Sequence, residues 1–259
     1  MMLPEGTFAG RVALVTGGGS GLGREIALEL GKLGAAVAVC GRRREPLDET
    51  AAMLGERGFA VQCDVREPEE VAAAFNAVEQ ALGPVTTLVN NAAGNFVVQA
   101  EDLSPNGWRA VVGIVLDGTF FCSRELAERL IGRGSSGEVL NMVATYAWTG
   151  GPGTVHSAAA KAGVVNLTRT LSVEWARYGI RVNALAPGPV DTPQAAEKLW
   201  PTDDVREALL AKIPLRRFGR PDEIRNAAAY LLSDYAAYIN GEVLTIDGGA
   251  WLEKGMFGP

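Results

Sequence analysis

Short apolar runs alternate along the chain with longer segments whose apolar positions recur at helical spacing. The runs are rich in Val, Ile and Leu, which is typical of strands buried in a sheet, and the longer segments are typical of amphipathic helices. Strands are predicted at 11–15, 36–40, 59–63, 85–90, 137–143, 180–186 and 242–246. Helices are predicted at 24–34, 45–58, 69–83, about 106–133, about 155–178 and 222–234.

This alternation predicts an α/β fold in which right-handed crossovers build a doubly wound, seven-stranded, mostly parallel sheet. The nearly continuous apolar strands indicate that helices cover both faces of the sheet. We find no linker, repeat or low-complexity tract, so residues 1–259 are expected to form a single domain. The least regular region is rich in proline and follows the sixth strand, so about 188–220 is expected to cover the substrate.

Composition narrows the class of protein. The 259 residues are 47% hydrophobic, which suffices for a sizeable core, and the net charge of −6 argues against nucleic acid as the main partner. No apolar run reaches the roughly 18 residues of a membrane span, and no secretory signal is evident, so no membrane partner and a cytoplasmic location are expected.

The candidate metal-binding and nucleophilic residues are few. Cys40, Cys63 and Cys122 are scattered, which favours core residues in a reducing compartment over a disulfide framework. No cluster has the spacing of metal ligands, so no metal is expected. A Ser-His-Asp triad would depend entirely on His156, the only histidine, which we expect at a helix start or in the core.

A glycine-rich loop, TGGGSGLG at 16–23, stands between a predicted strand and a predicted helix. In this context Gly17 permits a tight turn, Gly21 lets a pyrophosphate approach the backbone, and Gly23 lets the helix pack closely on the strand. The alternative is a turn that binds nothing. The strand–loop–helix context favours a dinucleotide site.

The end of the second strand bears on the choice of cofactor. An acidic residue there would bind the ribose hydroxyls of NAD, but the chain has CGRRRE at 40–45. Arg42 or Arg43 is suited to pair with the 2′-phosphate of NADP, so NADPH is predicted. The alternative is a solvated basic cluster that begins a helix.

Several motifs follow one another in a familiar order. They are TGGGSGLG, Asp64-Val65, NNAAG at 90–94, the helix-borne Lys161, PGPVDT at 187–192 and DGG at 247–249. Together they resemble the short-chain dehydrogenase/reductase family across almost the whole chain. The resemblance implies a Rossmann-like domain, a nicotinamide cofactor and a homotetramer.

The same resemblance implies a set of cofactor-binding positions. Asp64 and Val65 would flank the adenine, and 187–192 would hold the carboxamide end of the nicotinamide. The full set is Thr16, Gly17, Gly19, Ser20, Gly21, Leu22, Gly23, Arg42, Arg43, Asp64, Val65, Asn91, Ala92, Ala93, Gly94, Lys161, Pro187, Gly188, Val190 and Thr192.

The usual catalytic positions of that family are altered here. Ser157 stands four residues before Lys161, where most members carry tyrosine, and Ala144 and Val115 replace the usual serine and asparagine. Only Lys161 is retained. An ordinary carbonyl reductase needs a phenol to protonate the alkoxide, so that mechanism does not match directly.

One branch of the family matches these departures. The stretches NNAAGNF at 90–96, LSPNGW at 103–108, TYAWTG at 145–150 and SAAAKAG at 157–163 resemble 2,4-dienoyl-CoA reductases of the mitochondrial type. In that branch the tyrosine precedes the lysine by fifteen positions, as Tyr146 precedes Lys161. The resemblance implies Tyr146, Asn95, Lys161 and Ser157 as catalytic residues and an acyl-CoA thioester as substrate.

The chemistry is consistent with those positions. Tyr146 and Asn95 follow the fifth and fourth predicted strands, and Ser157 and Lys161 share a helix face, so all four are expected at the carboxyl edge of the sheet. A dienoyl thioester that accepts hydride becomes a dienolate, whose oxygen needs hydrogen-bond donors. The alternative roles are a packed aromatic for Tyr146 and a loop residue for Asn95. Trp148 and Trp200 are candidates to line an acyl channel.

Two other functions remain open on the sequence. One is reduction of another activated carbonyl, such as a 3-oxoacyl thioester, with Tyr146 donating from its displaced position. The other is a non-enzymatic module that senses NADPH and regulates a partner.

Overall fold

Seven parallel strands form one sheet in the computed structural model, which describes residues 2–192 and 202–252. The strands are β1 Val12–Thr16, β2 Ala36–Gly41, β3 Gly58–Gln62, β4 Val85–Asn90, β5 Gly137–Met142, β6 Ile180–Pro187 and β7 Val243–Ile246. Their order is β3-β2-β1-β4-β5-β6-β7, and every neighbouring pair is parallel. The predicted α/β class and doubly wound sheet are therefore confirmed.

Helices connect these strands. Those within the described residues are α1 Gly21–Lys32, α2 Arg44–Leu54, α3 Pro68–Leu82, α4 Pro105–Val112, α5 Gly118–Gly132, α6 Tyr146–Thr149, α7 Val155–Trp175, α8 Asp203–Ala211 and α9 Pro221–Leu232. No helix in 2–192 or 202–252 is long and apolar enough to cross a bilayer.

The core lies on both faces of the sheet. Ala13 and Val15 of β1 pack with buried residues of α1 and α9, whereas Val12 and Leu14 pack with buried residues of α3 and α5. Alternate residues of a strand point to opposite faces, so a fully apolar strand buries both sets. Cys40, Cys63 and Cys122 are buried thiols in the second of these layers, as expected.

Two predicted helix boundaries were wrong, and one predicted helix is not continuous. Helix α1 begins at Gly21 instead of residue 24, because the glycine loop turns directly into the helix. Helix α2 ends at Leu54, since Gly55 has φ +66° and the chain then enters a short 3₁₀ turn and β3. The predicted helix 106–133 is divided by a π-helical turn at Gly113–Asp117, and such turns are frequent at functional sites.

The strand order reverses between β1 and β4, whose carboxyl ends therefore diverge into a crevice. Beside this crevice Asn90 donates through its amide to Ser123 Oγ (2.8 Å) and Asn141 Oδ1 (2.9 Å), and Asn141 donates to Thr168 Oγ1 (2.9 Å). All four side chains are buried. These hydrogen bonds join β4 and β5 to α5 and α7 beside the crevice.

Candidate active site

A cleft of about 280 Å³ opens at the carboxyl ends of β1, β2 and β4, where the sheet order predicts a ligand. It is lined by Gly17, Gly19, Ser20, Cys40, Gly41, Arg42, Arg43, Pro46, Leu47, Cys63, Asp64, Val65, Asn91, Ala92, Ala93 and Ile114. Its size approaches the roughly 300 Å³ lower limit typical of small-molecule pockets.

The glycine loop has the backbone that a phosphate group needs. Gly17 lies in the left-handed region at φ +65°, and a Cβ at Gly23 would stand 2.5 Å from Gly17 O. Ser20 precedes α1 without a side-chain cap, so the amide groups of the first turn have no side-chain acceptor at the N-cap. Uncapped amides at a helix start favour an anion, so the loop fits a dinucleotide pyrophosphate.

Asn91 and Thr16 hold this loop against the end of β4. The Asn91 amide donates to Thr16 O (3.1 Å) and Gly17 O (3.2 Å), while Thr16 Oγ1 accepts from the backbone N–H groups of Asn91 (3.0 Å) and Ala92 (2.9 Å). Their side chains therefore shape the cleft by fixing its two walls. We predicted both as cofactor-binding residues; the structure gives them these supporting bonds.

The charge at the end of β2 is positive. Arg42 and Arg43 are exposed on the cleft wall, and neither side chain forms a hydrogen bond or ion pair with another residue of the described part. Asp64 lies opposite, but Arg66 pairs with it at 2.5 Å and this hydrogen bond lowers the pKa of the Asp64 carboxyl. The acidic charge is thus compensated, whereas the two guanidinium groups are available to an anionic ligand.

The other predicted cofactor residues do not line this cleft. Gly21, Leu22 and Gly23 belong to α1, and Leu22 packs on the core. Pro187, Gly188, Val190 and Thr192 lie at and beyond the end of β6, where Gly188 N donates to Ile246 O (2.8 Å) and Val190 bridges to Gly219. Gly94 and Lys161 also lie outside the lining. The cleft therefore matches one end of the predicted cofactor site.

Tyr146 begins the one-turn helix α6, four residues after the end of β5, and its side chain is half-buried. Its Oη lies 3.0 Å from the Oγ of Ser157, a buried residue in the first turn of α7, and either oxygen can donate. The structure thus brings together the displaced phenol and the serine that occupies the usual tyrosine position.

Lys161 lies one turn further along α7, and its side chain is buried. Its Nζ donates to the backbone O of Met142, the last residue of β5, so the ammonium group reaches the carboxyl end of the sheet. Burial lowers the pKa of Lys161 to about 8, because the charged form loses solvation. A lysine whose pKa lies near neutrality is a frequent feature of catalytic sites.

The fourth predicted catalytic residue is Asn95. It is exposed in the loop after β4, and its Oδ1 accepts from the backbone N–H of Phe96 (3.0 Å). No hydrogen bond joins it to Tyr146, Ser157 or Lys161 in the described structure. The loop is nevertheless tied to the segment before α7, since Val98 N donates to Gly153 O (2.9 Å).

One of the altered catalytic positions, Val115, is occupied by a packing residue. Val115 is buried in the π-helical turn and packs with Val143 and Ala160, so no polar group replaces the usual asparagine there. Trp148 lies two residues after Tyr146 and stacks on Trp251, with ring centroids 5.4 Å apart. Trp200 lies outside the described residues.

Sequence reasoning missed two features of the site. Ile114 lines the cleft from the π-helical turn, a position that a regular helical pattern does not single out. The ring of Phe96 lies perpendicular to that of His156, with centroids 4.5 Å apart. This contact joins two segments distant in sequence, so no local pattern could have indicated it.

Comparison with known proteins gives a consistent result. Residues 17–250 match a protein-family model described as enoyl-(acyl carrier protein) reductase. A Bacillus subtilis (strain 168) protein named "Probable 2,4-dienoyl-CoA reductase" and described as (2E)-enoyl-CoA-producing is 48% identical over 251 residues, which cover 95% of this chain and 99% of the relative.

Solved structures resemble the fold closely. A short chain dehydrogenase from Bacillus anthracis str. 'Ames Ancestor' gives a TM-score of 0.87 at 45% identity, with 95% of this chain and 98% of the other covered. A structure from Agrobacterium tumefaciens, named "putative 2-deoxy-d-gluconate 3-dehydrogenase" and holding bound NADP, gives 0.87 at 34% identity with the same coverage.

Proposed function

The chain belongs to the short-chain dehydrogenase/reductase family of oxidoreductases, which use nicotinamide cofactors, and we propose that it reduces 2,4-dienoyl-CoA thioesters to enoyl-CoA with NADPH. This reaction is an auxiliary step in the breakdown of unsaturated fatty acids. The name of the Bacillus subtilis relative supports the substrate class.

The observation that carries the proposal is the 3.0 Å hydrogen bond between Tyr146 Oη and Ser157 Oγ. The Tyr146 phenol, from α6, contacts Ser157, which occupies the position on α7 where most relatives have their tyrosine. This position lies one turn before the buried Lys161. The site therefore retains a phenol and a lysine but delivers the phenol from another element.

We assign the residues the following roles. NADPH, when bound, supplies the hydride that adds to the far carbon of the diene. Tyr146 donates a hydrogen bond to the thioester oxygen, where negative charge accumulates as the dienolate forms, and each such donor typically lowers the barrier by a few kcal/mol. A carbon of the dienolate then takes a proton from water, which gives the neutral enoyl-CoA, and the carbon that receives the proton sets the position of the remaining double bond. Ser157 orients the phenol, and the ammonium group of Lys161 favours the developing anion and orients the nicotinamide ribose.

Asn95 is proposed as the second donor to the thioester oxygen. Its Oδ1 is engaged by the backbone of Phe96, so the amide is oriented, while its Nδ2 makes no hydrogen bond within the described residues. The side chain is exposed beside the loop that leads to α7. An oriented, unoccupied amide donor can add to the hydrogen bond from the phenol.

The preference for NADPH is proposed from Arg42 and Arg43. Both side chains are unpaired on the cleft wall, whereas Asp64 opposite them is already paired with Arg66. A 2′-phosphate would form charge-assisted bonds with a guanidinium group, and a bare ribose would not.

Two wider features are also proposed. The segment at about 188–220, of which 193–201 lie outside the described residues, is proposed to cover the substrate. We also propose that the chain forms a homotetramer, for which two exposed apolar side chains near the end of α7, Val173 (78% exposed) and Tyr178 (37% exposed), are candidate contact residues. Light scattering of the purified protein tests the assembly.

The experiment that tests the function compares NADPH oxidation with a 2,4-dienoyl-CoA, a 3-oxoacyl-CoA and an enoyl-(acyl carrier protein) thioester. We expect the dienoyl-CoA to give the largest kcat/KM, and product analysis by NMR fixes the position of the remaining double bond. A larger value with the 3-oxoacyl-CoA would replace the proposal by carbonyl reduction. Tight NADPH binding without turnover of any of the three would favour a sensing module.

A further inference from the structure

His156 is buried completely, although the proposed reaction gives it no role. It lies in the first turn of α7, and its Nδ1 accepts from the backbone N–H of Ser157 at 2.8 Å. Thr154, the residue before the helix, forms no side-chain cap, so the imidazole replaces such a cap for this amide. Because Nδ1 accepts this bond, the ring N–H in this arrangement lies on Nε2.

The imidazole also contacts the loop of Asn95. The Phe96 ring lies perpendicular to it at 4.5 Å between centroids, and Val98 N donates to Gly153 O three residues before His156. The loop is therefore tied to the segment entering α7 at two points. Phe96 directly follows Asn95, and its backbone N–H orients the Asn95 side chain.

An unsatisfied atom indicates that the imidazole is present for more than packing. The Nε2 of His156 is buried without a hydrogen-bond partner in the described structure. A buried polar atom without a partner destabilises a fold, and an apolar side chain of similar size would avoid that cost. The compensating contribution is the Nδ1 bond to the amide of Ser157, the residue that contacts Tyr146.

We propose that His156 is a positioning residue, which fixes the Ser157 end of α7 and the Asn95 loop relative to each other. This inference rests on the proposed function, because it assigns Ser157 and Asn95 to the reduction of the thioester. A small displacement of Ser157, which orients the Tyr146 phenol, or of Asn95, which donates to the thioester oxygen, would lower the rate of hydride transfer. The cofactor cleft would not change, because its lining does not include His156.

The test replaces His156 by three residues. His156→Asn keeps an acceptor close to the position of Nδ1, His156→Gln moves the polar atoms to the position of Nε2, and His156→Leu removes them. We expect kcat to fall about tenfold in the Gln and Leu variants but less than about twofold in the Asn variant, with the NADPH Kd nearly constant in all three. A purely structural role would lower the thermal midpoint and leave kcat per folded molecule unchanged.

Equal kcat values in the Asn, Gln and Leu variants would overturn the proposal. If His156→Leu does not fold, Phe96→Leu replaces the same ring contact from the exposed side, where Phe96 is 43% exposed. Phe96→Leu is expected to lower kcat, as His156→Gln does, and a wild-type kcat in this variant would count against the proposal.

A second measurement needs no substrate. Hydrogen exchange of the amides at 96–98 is expected to accelerate in His156→Leu, while the amides of β4 keep their protection. If the wild-type protein reduces no dienoyl-CoA, the proposed function fails, but this exchange measurement still decides whether His156 holds the loop. Unchanged exchange at 96–98 would overturn the positioning role whatever the substrate is.

Discussion

Tyr146 Oη and Ser157 Oγ lie 3.0 Å apart, so a phenol from the short helix after β5 contacts the first turn of the helix that carries Lys161. Most members of the family place the phenol on that helix itself. The contact therefore brings a hydroxyl from another element to nearly the same region, and Ser157 is small enough to leave room for it.

Replacing Tyr146 by Phe removes the proposed donor to the thioester oxygen. We expect kcat to fall by about 10²- to 10³-fold, the effect typical of losing one oxyanion donor. The NADPH Kd should stay within about twofold, because Tyr146 is not part of the cofactor cleft. Tyr238→Phe, at a fully exposed tyrosine, is the matched control and should leave both values unchanged. Near-normal turnover of Tyr146→Phe would remove its assigned role.

Replacing Ser157 by Ala should have a smaller effect that depends on Tyr146. The hydroxyl is expected to orient the phenol, so its loss should lower kcat about fivefold to tenfold, equivalent to roughly one neutral hydrogen bond. In a double-mutant cycle, adding Ser157→Ala to Tyr146→Phe should cost little more than Tyr146→Phe alone. Additive effects would instead mean that Ser157 contacts the substrate independently.

Much of the fold could be predicted because its strands are apolar and separated by helical patterns. The predicted helix boundaries are wrong where a glycine, and not the spacing of apolar residues, decides where the helix begins or ends. Gly21 begins α1, and Gly55 follows the last residue of α2. The π-helical turn at 113–117 has no residue type that distinguishes it from an α-helix, so the sequence predicts a continuous helix there.

The site could be predicted only in part, because some of its contacts depend on how loops pack and not on local sequence patterns. The spacing of Tyr146, Ser157 and Lys161 along the chain indicated their convergence, and Tyr146 and Ser157 are hydrogen-bonded. The contact of Phe96 with His156 depends on how two loops pack, which no periodicity encodes. The roles of the four proposed catalytic residues stay predictions until variants are measured.

Arg42→Ala and Arg43→Ala test the proposed cofactor preference. Loss of a charge-assisted bond to the 2′-phosphate should raise the KM for NADPH about 10- to 100-fold and leave the KM for NADH nearly unchanged. Arg57→Ala, at an exposed arginine outside the cleft lining, is the control for a general loss of positive charge. An equal rise for both cofactors would show that these arginines do not recognise the 2′-phosphate.

Gly23→Ala tests the close packing behind the glycine loop. The new Cβ would stand 2.5 Å from Gly17 O and collide with the Asn91 amide, so the loop must shift. We expect the free energy of unfolding to fall by about 1–3 kcal/mol and NADPH binding to weaken. Gly132→Ala places its Cβ in open space at the end of α5 and should be neutral or slightly stabilising. Chemical unfolding and cofactor titration of both variants separate a local clash from a general glycine effect.

Lys161 makes the stability of the cofactor-free protein depend on pH. Its pKa is lowered from 10.5 to about 8 by burial, so below about pH 8 the lysine is charged in both the folded and the unfolded chain, and the fold bears the cost of a buried charge. Between about pH 8 and 10.5 the folded protein releases this proton while the unfolded chain retains it. The unfolded state then binds more protons, so the contribution of Lys161 to stability rises with pH, by about 3 kcal/mol in total.

Comparison with Lys161→Met isolates this contribution, because the variant cannot titrate at this position. Burial also raises the pKa of the Cys122 thiol, which opposes the rise at alkaline pH but is common to both proteins. Urea unfolding at several pH values should therefore show the Met variant more stable than the wild type at pH 7, with the difference shrinking as the pH approaches 10.5. A stability difference that is independent of pH would mean that the folded and unfolded chains bind this proton equally, so that burial does not lower the pKa of Lys161 in the folded protein.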